Sequence, residues 1–191
     1  MKRNTFTLIE ILGVLVVIAI LATLGFAGYS YANNKSKESA TQGLITRLGA
    51  AFEVAQQKSG FIPPATSFST ITINQSNNTL TIGSNTYYLI PQDGGTKSAR
   101  VKKMEAEFCK QFLSALQMDS MERFLEGHEV IDAWGNPVRF RYPGALKTGG
   151  FDLIAAGSDG VFGSSGASTP SNTMSDYRDG NEWICDDIAN F

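Results

Sequence analysis

Glu10 stands at the head of an apolar run, Ile11 to Asn34, in which no residue is charged. A carboxylate carried into such a segment costs about 2.5–3.5 kcal/mol at mid-bilayer on insertion scales, so it calls for a cationic partner. Paired with one in a low-dielectric layer, it could set the register of packed helices; otherwise it lies among lipid headgroups and only marks the end of an anchor. Cys109 and Cys185 are the two cysteines. In an oxidising compartment they have one possible pairing, a disulfide that would tie a helix to the acidic C-terminal segment and contribute about 2–4 kcal/mol, while Phe108 beside Cys109 favours the other state, two buried free thiols. His128 is the single histidine, which excludes a zinc site built on two imidazoles, and neither a Gly-x-Ser-x-Gly elbow nor a phosphate-binding loop is present. The sequence offers no catalytic constellation. It reads as a non-enzyme.

The element that carries Glu10 is long. At 1.5 Å per residue the uncharged run makes a helix of roughly 36 Å, enough to cross a hydrocarbon core. Lys2 and Arg3 precede it and mark the cytoplasmic side, so everything beyond residue 34 is expected outside the cytoplasm. An ordinary secretory signal peptide with a small-x-small site at Gly25-Phe26-Ala27 is the competing reading; the apolar run exceeds the usual length of such a segment and begins with an acid. Helical signals continue to about Lys58. Leu44, Ile45, Leu48, Ala51, Phe52 and Ala55 recur at spacings of three and four opposite Lys35, Lys37, Glu38, Arg47 and Glu53, and no proline interrupts the stretch before Pro63.

Beyond Gly60-Phe61-Ile62-Pro63-Pro64, three Thr/Ile/Tyr-rich runs at 70–73, 79–82 and 86–89 predict a small β-meander. A helix is expected over 98–125, with Val101, Met104, Phe108, Phe112, Ala115 and Leu116 as its core face. The basic cluster Lys97, Arg100, Lys102 and Lys103 is followed by Glu105 and Glu107 and reads as a solvated helix face. With a net charge of −2 that turns more negative once the leader cations are removed, a nucleic-acid partner is not expected. Gly135-Asn136-Pro137 is a turn leading into a strand at 138–142, beside which Trp134 reads as a packing anchor; a second strand is expected at 151–155.

The leader Met1-Lys2-Arg3-Asn4-Thr5 followed by Phe6-Thr7-Leu8-Ile9-Glu10 and a long apolar helix resembles the precursors of type IV pilin-like proteins. Asp132-Ala133-Trp134-Gly135-Asn136-Pro137 and Gly157-Ser158-Asp159-Gly160, with the terminal Asp186-Asp187-Ile188, are similar to segments of the type II secretion major pseudopilins, with Ala133 where that family has Pro. The resemblance implies an α+β, pilin-like fold: a leader (1–5), the transmembrane half of a long helix (6–34), its amphipathic half (35–60) and a periplasmic head (61–191) with an antiparallel sheet. It implies cleavage between Thr5 and Phe6 by a prepilin peptidase and methylation of Phe6, with Thr5 in place of the usual Gly. Glu10 would then pair with a neighbour's new α-amine. It also implies a single-pass inner-membrane protein with a cytoplasmic N-terminus, polymerising into a helical filament with minor pseudopilins on an inner-membrane assembly platform, to drive export of folded proteins. By the same resemblance Asp159 and Asp187 are acidic ligands of a calcium ion, with Asp176, Asp179 and Asp186 as further candidates; the alternative for Asp159 is a plain Asx turn. Alternatives for the whole chain are a type IV pilin of adhesion, motility or DNA uptake, and a non-polymerising, membrane-anchored calcium- or ligand-binding domain.

Overall fold

The computed structural model describes residues 8–117 and 121–191. The chain divides into two compact units, one through Lys37 and the other from Glu38 to Phe191. In the first, helix α1 (Leu8–Ser59) begins, and the large apolar side chains described there are exposed, from Leu8 and Ile11 to Phe26 and Tyr31. A helix this long and apolar meets the length and composition needed to cross a membrane.

In the second unit the rest of α1 turns amphipathic as predicted, and Leu44, Ile45, Leu48, Ala51, Phe52 and Ala55 are all buried. Its end is set locally: Gly60 adopts φ 68°, and the Ser59 hydroxyl accepts from Phe61 N–H at 3.1 Å. A ten-residue strand, β1 (Ala65–Asn74), follows, then β2 (Thr79–Ile82) and β3 (Asn85–Tyr88), the expected meander with a longer first strand. Helix α2 runs Ala99–Leu116, with the Ser98 side chain accepting from Val101 N–H. The 98–125 expectation was too long. Gln117 takes a left-handed conformation that stops the helix, and the chain continues through a 3₁₀ turn at Glu122–Phe124 into the short hairpin β4 (Leu125–Glu126) and β5 (Glu129–Val130). The expected strands appear as β6 (Arg139–Tyr142) and β7 (Asp152–Ala155); after a long loop come the hairpin β8 (Arg178–Asp179) and β9 (Glu182–Trp183) and then β10 (Ile188–Ala189).

The main sheet is antiparallel, in the order β10-β7-β6-β1-β2-β3, with the β4–β5 hairpin attached to β1 at Thr72↔Glu129. β1 has two sets of neighbours. Its first half pairs with β6 (Ala65↔Tyr142, Thr70↔Arg139) and its second with β2 (Ile71↔Ile82 through Asn74↔Thr79). Phe52 is the hub between α1, α2 and this sheet: its ring stacks on Phe140 at 4.4 Å and meets Phe112 at 4.6 Å and Phe151 at 5.3 Å. β7 is buried on both faces, Leu153 and Ala155 in the Phe52 cluster and Ile154 in a smaller one with Leu146, Phe162 and Tyr177. Val101, expected in the α2 core face, is exposed, because the helix buries Ala106, Phe108, Cys109, Phe112 and Leu116 instead.

Candidate functional site

Antiparallel pairing of β10 with β7 (Ile188↔Ala155) brings Asp186 and Asp187 to the loop that leaves β7 at Gly157-Ser158-Asp159-Gly160. The fit is close. Gly157 has φ 74° and lies so near the Asp186 backbone that a Cβ there would collide with the Asp186 carbonyl. The turn at Asp132–Asn136 reaches the same loop: Asn136 donates to the Gly157 carbonyl at 2.9 Å, while Asp132 Oδ1 accepts from the backbone N–H groups of Trp134 and Asn136, each at 2.8 Å. Three segments far apart in sequence therefore converge. Burial raises the pKa of Asp132, against the opposing hydrogen bonds from its own turn.

Within this edge the five aspartates have different duties. Asp187 is buried, its Oδ2 accepts from Gly163 N–H at 2.6 Å, and its Oδ1 is buried with no hydrogen-bond partner. Desolvation, opposed by hydrogen bonds from the Cys185 thiol and the Gly163 N–H and reinforced by the charges of Asp186 and Asp159, pushes its pKa up to about 6. An anion held this way is short of a counter-charge. Asp159 is exposed, and its Oδ1 accepts from Val161 N–H at 3.0 Å, so the Asx turn is formed. Asp186 Oδ2 accepts from the N–H and hydroxyl of Ser158, both at 2.6 Å, and from Asp159 N–H, which commits it to holding the loop. Asp176 bonds to the Ser171 hydroxyl, and Asp179 is exposed on the β8–β9 hairpin.

The donor chemistry suits a hard cation. The orphaned Asp187 oxygen and the nearby Asp159 carboxylate are oxygen ligands of the kind calcium takes, although among the described residues no three His, Cys, Asp or Glu side chains form a ready-made metal cluster. Backbone carbonyls would have to supply the remainder.

The disulfide expectation is not met. Cys109 and Cys185 are free thiols in different clusters. Cys109, on α2, faces the Tyr87 carbonyl of β3 at 3.4 Å, whereas Cys185 lies against the Tyr177 carbonyl at 3.8 Å. Burial pushes Cys109 up to about 11, and burial with the Asp187 carboxyl pushes Cys185 up to about 12, so neither is a ready thiolate. Thr5 and Phe6 lie outside the described residues. Glu10 is exposed in the first turn of α1, where a negative charge complements the helix dipole.

Three structural polar residues went unrecognised in the sequence. Asp152 is fully buried and accepts from the N–H groups of Ala145, Leu146 and Lys147 at 2.7–3.1 Å. Thr41, buried on α1, accepts from Ala133 N–H at 3.1 Å, and Asn190 latches β10 to β7 through Leu153 N–H and the Phe151 carbonyl. The break in the apolar pattern of 151–155 at Asp152 was the available signal.

Residues 109–172 match the family model described as type II secretion system (T2SS), protein G. No curated protein and no solved structure matches the chain. The matched segment contains the Asp132–Asn136 turn, β6, β7 and the Asp159 loop, and the surrounding architecture is an apolar N-terminal helix whose later half packs on an antiparallel sheet. Over residues 109–172 the chain is thus similar to a type II secretion pseudopilin family.

Proposed function

We propose that the protein is a structural subunit of a type II secretion pseudopilus, held in the inner membrane by the first part of α1 with its C-terminal unit in the periplasm, and polymerised to drive export of folded proteins. The observation that carries this reading is the family match over 109–172 in a chain whose α1 begins with exposed apolar residues and a single acid, Glu10. A prepilin peptidase cuts between Thr5 and Phe6. The α-amine so created, with a reference pKa of about 7.7–8.0, neutralises Glu10 of a neighbouring subunit within the membrane layer. Minor pseudopilins and the inner-membrane platform are the further partners. Calcium is held by Asp159 and Asp187 with backbone carbonyls; when bound, it supplies the counter-charge that Asp187 lacks.

The full chain, expressed with a prepilin peptidase, tests the reading by mass spectrometry and electron microscopy. A mature N-terminus at Phe6 and filaments that disappear in Glu10→Ala, with membrane insertion intact, are expected. An intact Met1 or a start at Gly28 would overturn the processing step. Unaltered filaments from Glu10→Ala would remove the pairing, and a chain that is processed yet never polymerises would point to an anchored binding module. Filaments displayed at the cell surface would favour a type IV pilin.

A further inference from the structure

Among the described residues of the Glu38–Phe191 unit, the exposed large apolar side chains fall into two groups. One is Tyr88, Ile90 and Val101, at 42%, 72% and 37% exposure; the other is Trp183 and Ile184, at 39% and 44%. The first lies where β3, the edge strand of the sheet, meets the start of α2. There Tyr88, Ile90, Lys97 and Lys102 share the lining of a groove of about 270 Å³. The second lies on the β8–β9 hairpin, which packs near the opposite edge: Trp183 meets the ring of Phe191, just beyond β10, at 6.0 Å. Basic residues predominate at the β3 edge, where Lys97 is paired with Glu105 at 2.6 Å and Arg100, Lys102 and Lys103 follow, and Asp179 and Glu182 sit on the hairpin, where Arg178 lies 4.5 Å over the Trp183 ring.

Both charge sets are unfavourable within the subunit. Arg100 and Lys103 sit in the first turns of α2, where the helix dipole disfavours cations, and at a spacing that puts like charges on one face. Asp179 and Glu182 are directly opposed across the β8–β9 pair, where like charges repel. All four are exposed, and among the described residues none of these side chains has a hydrogen-bonding or ion-pair partner. Self-repelling charges beside exposed aromatic and aliphatic side chains describe a surface completed by something of opposite sign, and each patch provides what the other lacks.

We infer that the basic β3–α2 edge of one subunit docks on the acidic β8–β9 hairpin of a second copy of this chain. The occupant is a second copy because the complementary surface is present on the same molecule, at the far edge of the sheet. Two different patches in contact make a heterologous interface, and a heterologous contact whose rotation does not close propagates as an open helix. The inference rests on the filament reading above and gives that filament a contact outside the membrane. Apolar side chains supply the contact area, and the charges fix direction and register.

The test uses the full chain reconstituted in lipid vesicles and a zero-length carbodiimide, which joins lysine amines to carboxylates in contact. The wild type should give a ladder of cross-linked oligomers, with links from Lys97, Lys102 or Lys103 to Asp179, Glu182 or Asp186. Reversal of the basic patch (Arg100→Glu with Lys103→Glu) should lower the cross-linked yield about fivefold or more, as should reversal of the acidic patch (Asp179→Lys with Glu182→Lys). Combining both reversals in one chain should restore the ladder. Mixing the two reversed chains gives complementary charges at both contacts between unlike chains and like charges between copies of one chain, so the mixture should recover a ladder in which the two chains alternate. A ladder indifferent to both reversals would overturn this inference and leave the filament reading standing. A wild-type chain without oligomers would overturn both.

Discussion

The Phe52 cluster and the acidic edge around Asp187 hold the same sheet by opposite means. In the first, the phenyl rings of α1, α2, β6 and the residue before β7 pack on one another with no ionisable group among them. In the second, loops are fastened by carboxylates that accept backbone N–H groups, and one buried oxygen is left unmatched. The difference is between unconditional and conditional stability. Aromatic burial acts whenever the chain is in water, while the acidic edge depends on proton and cation concentration.

The sharpest way to break the apolar side is Phe52→Ala, expected to cost about 3–5 kcal/mol, because four neighbouring rings cannot all collapse into the space. Denaturant unfolding of the full chain measures it, and a loss below about 1 kcal/mol would show that the hub is dispensable.

On the acidic side, Asp152→Ala should cost about 2–3 kcal/mol, since three backbone donors lose a charged acceptor in a buried place. The same unfolding measurement would contradict this if the variant matched wild type.

Asp187 tests the conditional side directly. Its folded pKa, near 6, lies above the unfolded value of 3.8, so the native state holds its proton longer than the unfolded state does. Metal-free stability is therefore undiminished below about pH 4, falls as pH rises toward 6, and by pH 7 has lost roughly 2–3 kcal/mol. Asp187→Asn should flatten that fall. Calcium at about 100-fold excess over its Kd should recover roughly 2.7 kcal/mol at pH 7 in the wild type. Its effect should shrink at pH 5, where protons compete for the same carboxylate. Thermal melts with and without chelator at the two pH values decide it; coincident curves at pH 7 would leave Asp159 with its turn alone. The smallest effect is expected from Thr41→Val, about 1 kcal/mol, from the unmatched Ala133 N–H.

Legibility followed the same division. The α1 core face was readable to the residue because a 3.6-residue period repeats through Leu44, Leu48, Phe52 and Ala55. The three strands of the meander and the two after Trp134 were visible as β-branched and aromatic runs. Helix α2 was extended too far because apolar spacing continues past Leu116, while the left-handed turn at Gln117 has no glycine to announce it. Val101 was assigned to the core because its spacing fits, and only the packing of Ala106 and Cys109 shows which face turns inward. At the acidic edge the resemblance selected Asp159 and Asp187, and β10 does bring their segments together. The commitment of Asp186 to the Ser158 turn, the buried acceptor role of Asp152 and the separation of the two cysteines depend on tertiary register, which no local pattern encodes.

β1 has a consequence for the order in which the head takes shape. Its second half finds β2 within a few residues, but its first half must wait for β6, with Ala65 opposite Tyr142. Loop closure makes the near partner fast and the distant one slow. In a chain that crosses a membrane from its amino end, the meander can form while β6 is still being delivered, leaving half of β1 as an open edge. Until β6 arrives, that edge is a ready template for another strand, so under the proposed export of the head the interval before β6 emerges is when mispairing threatens most and a chaperone at the exit would help most.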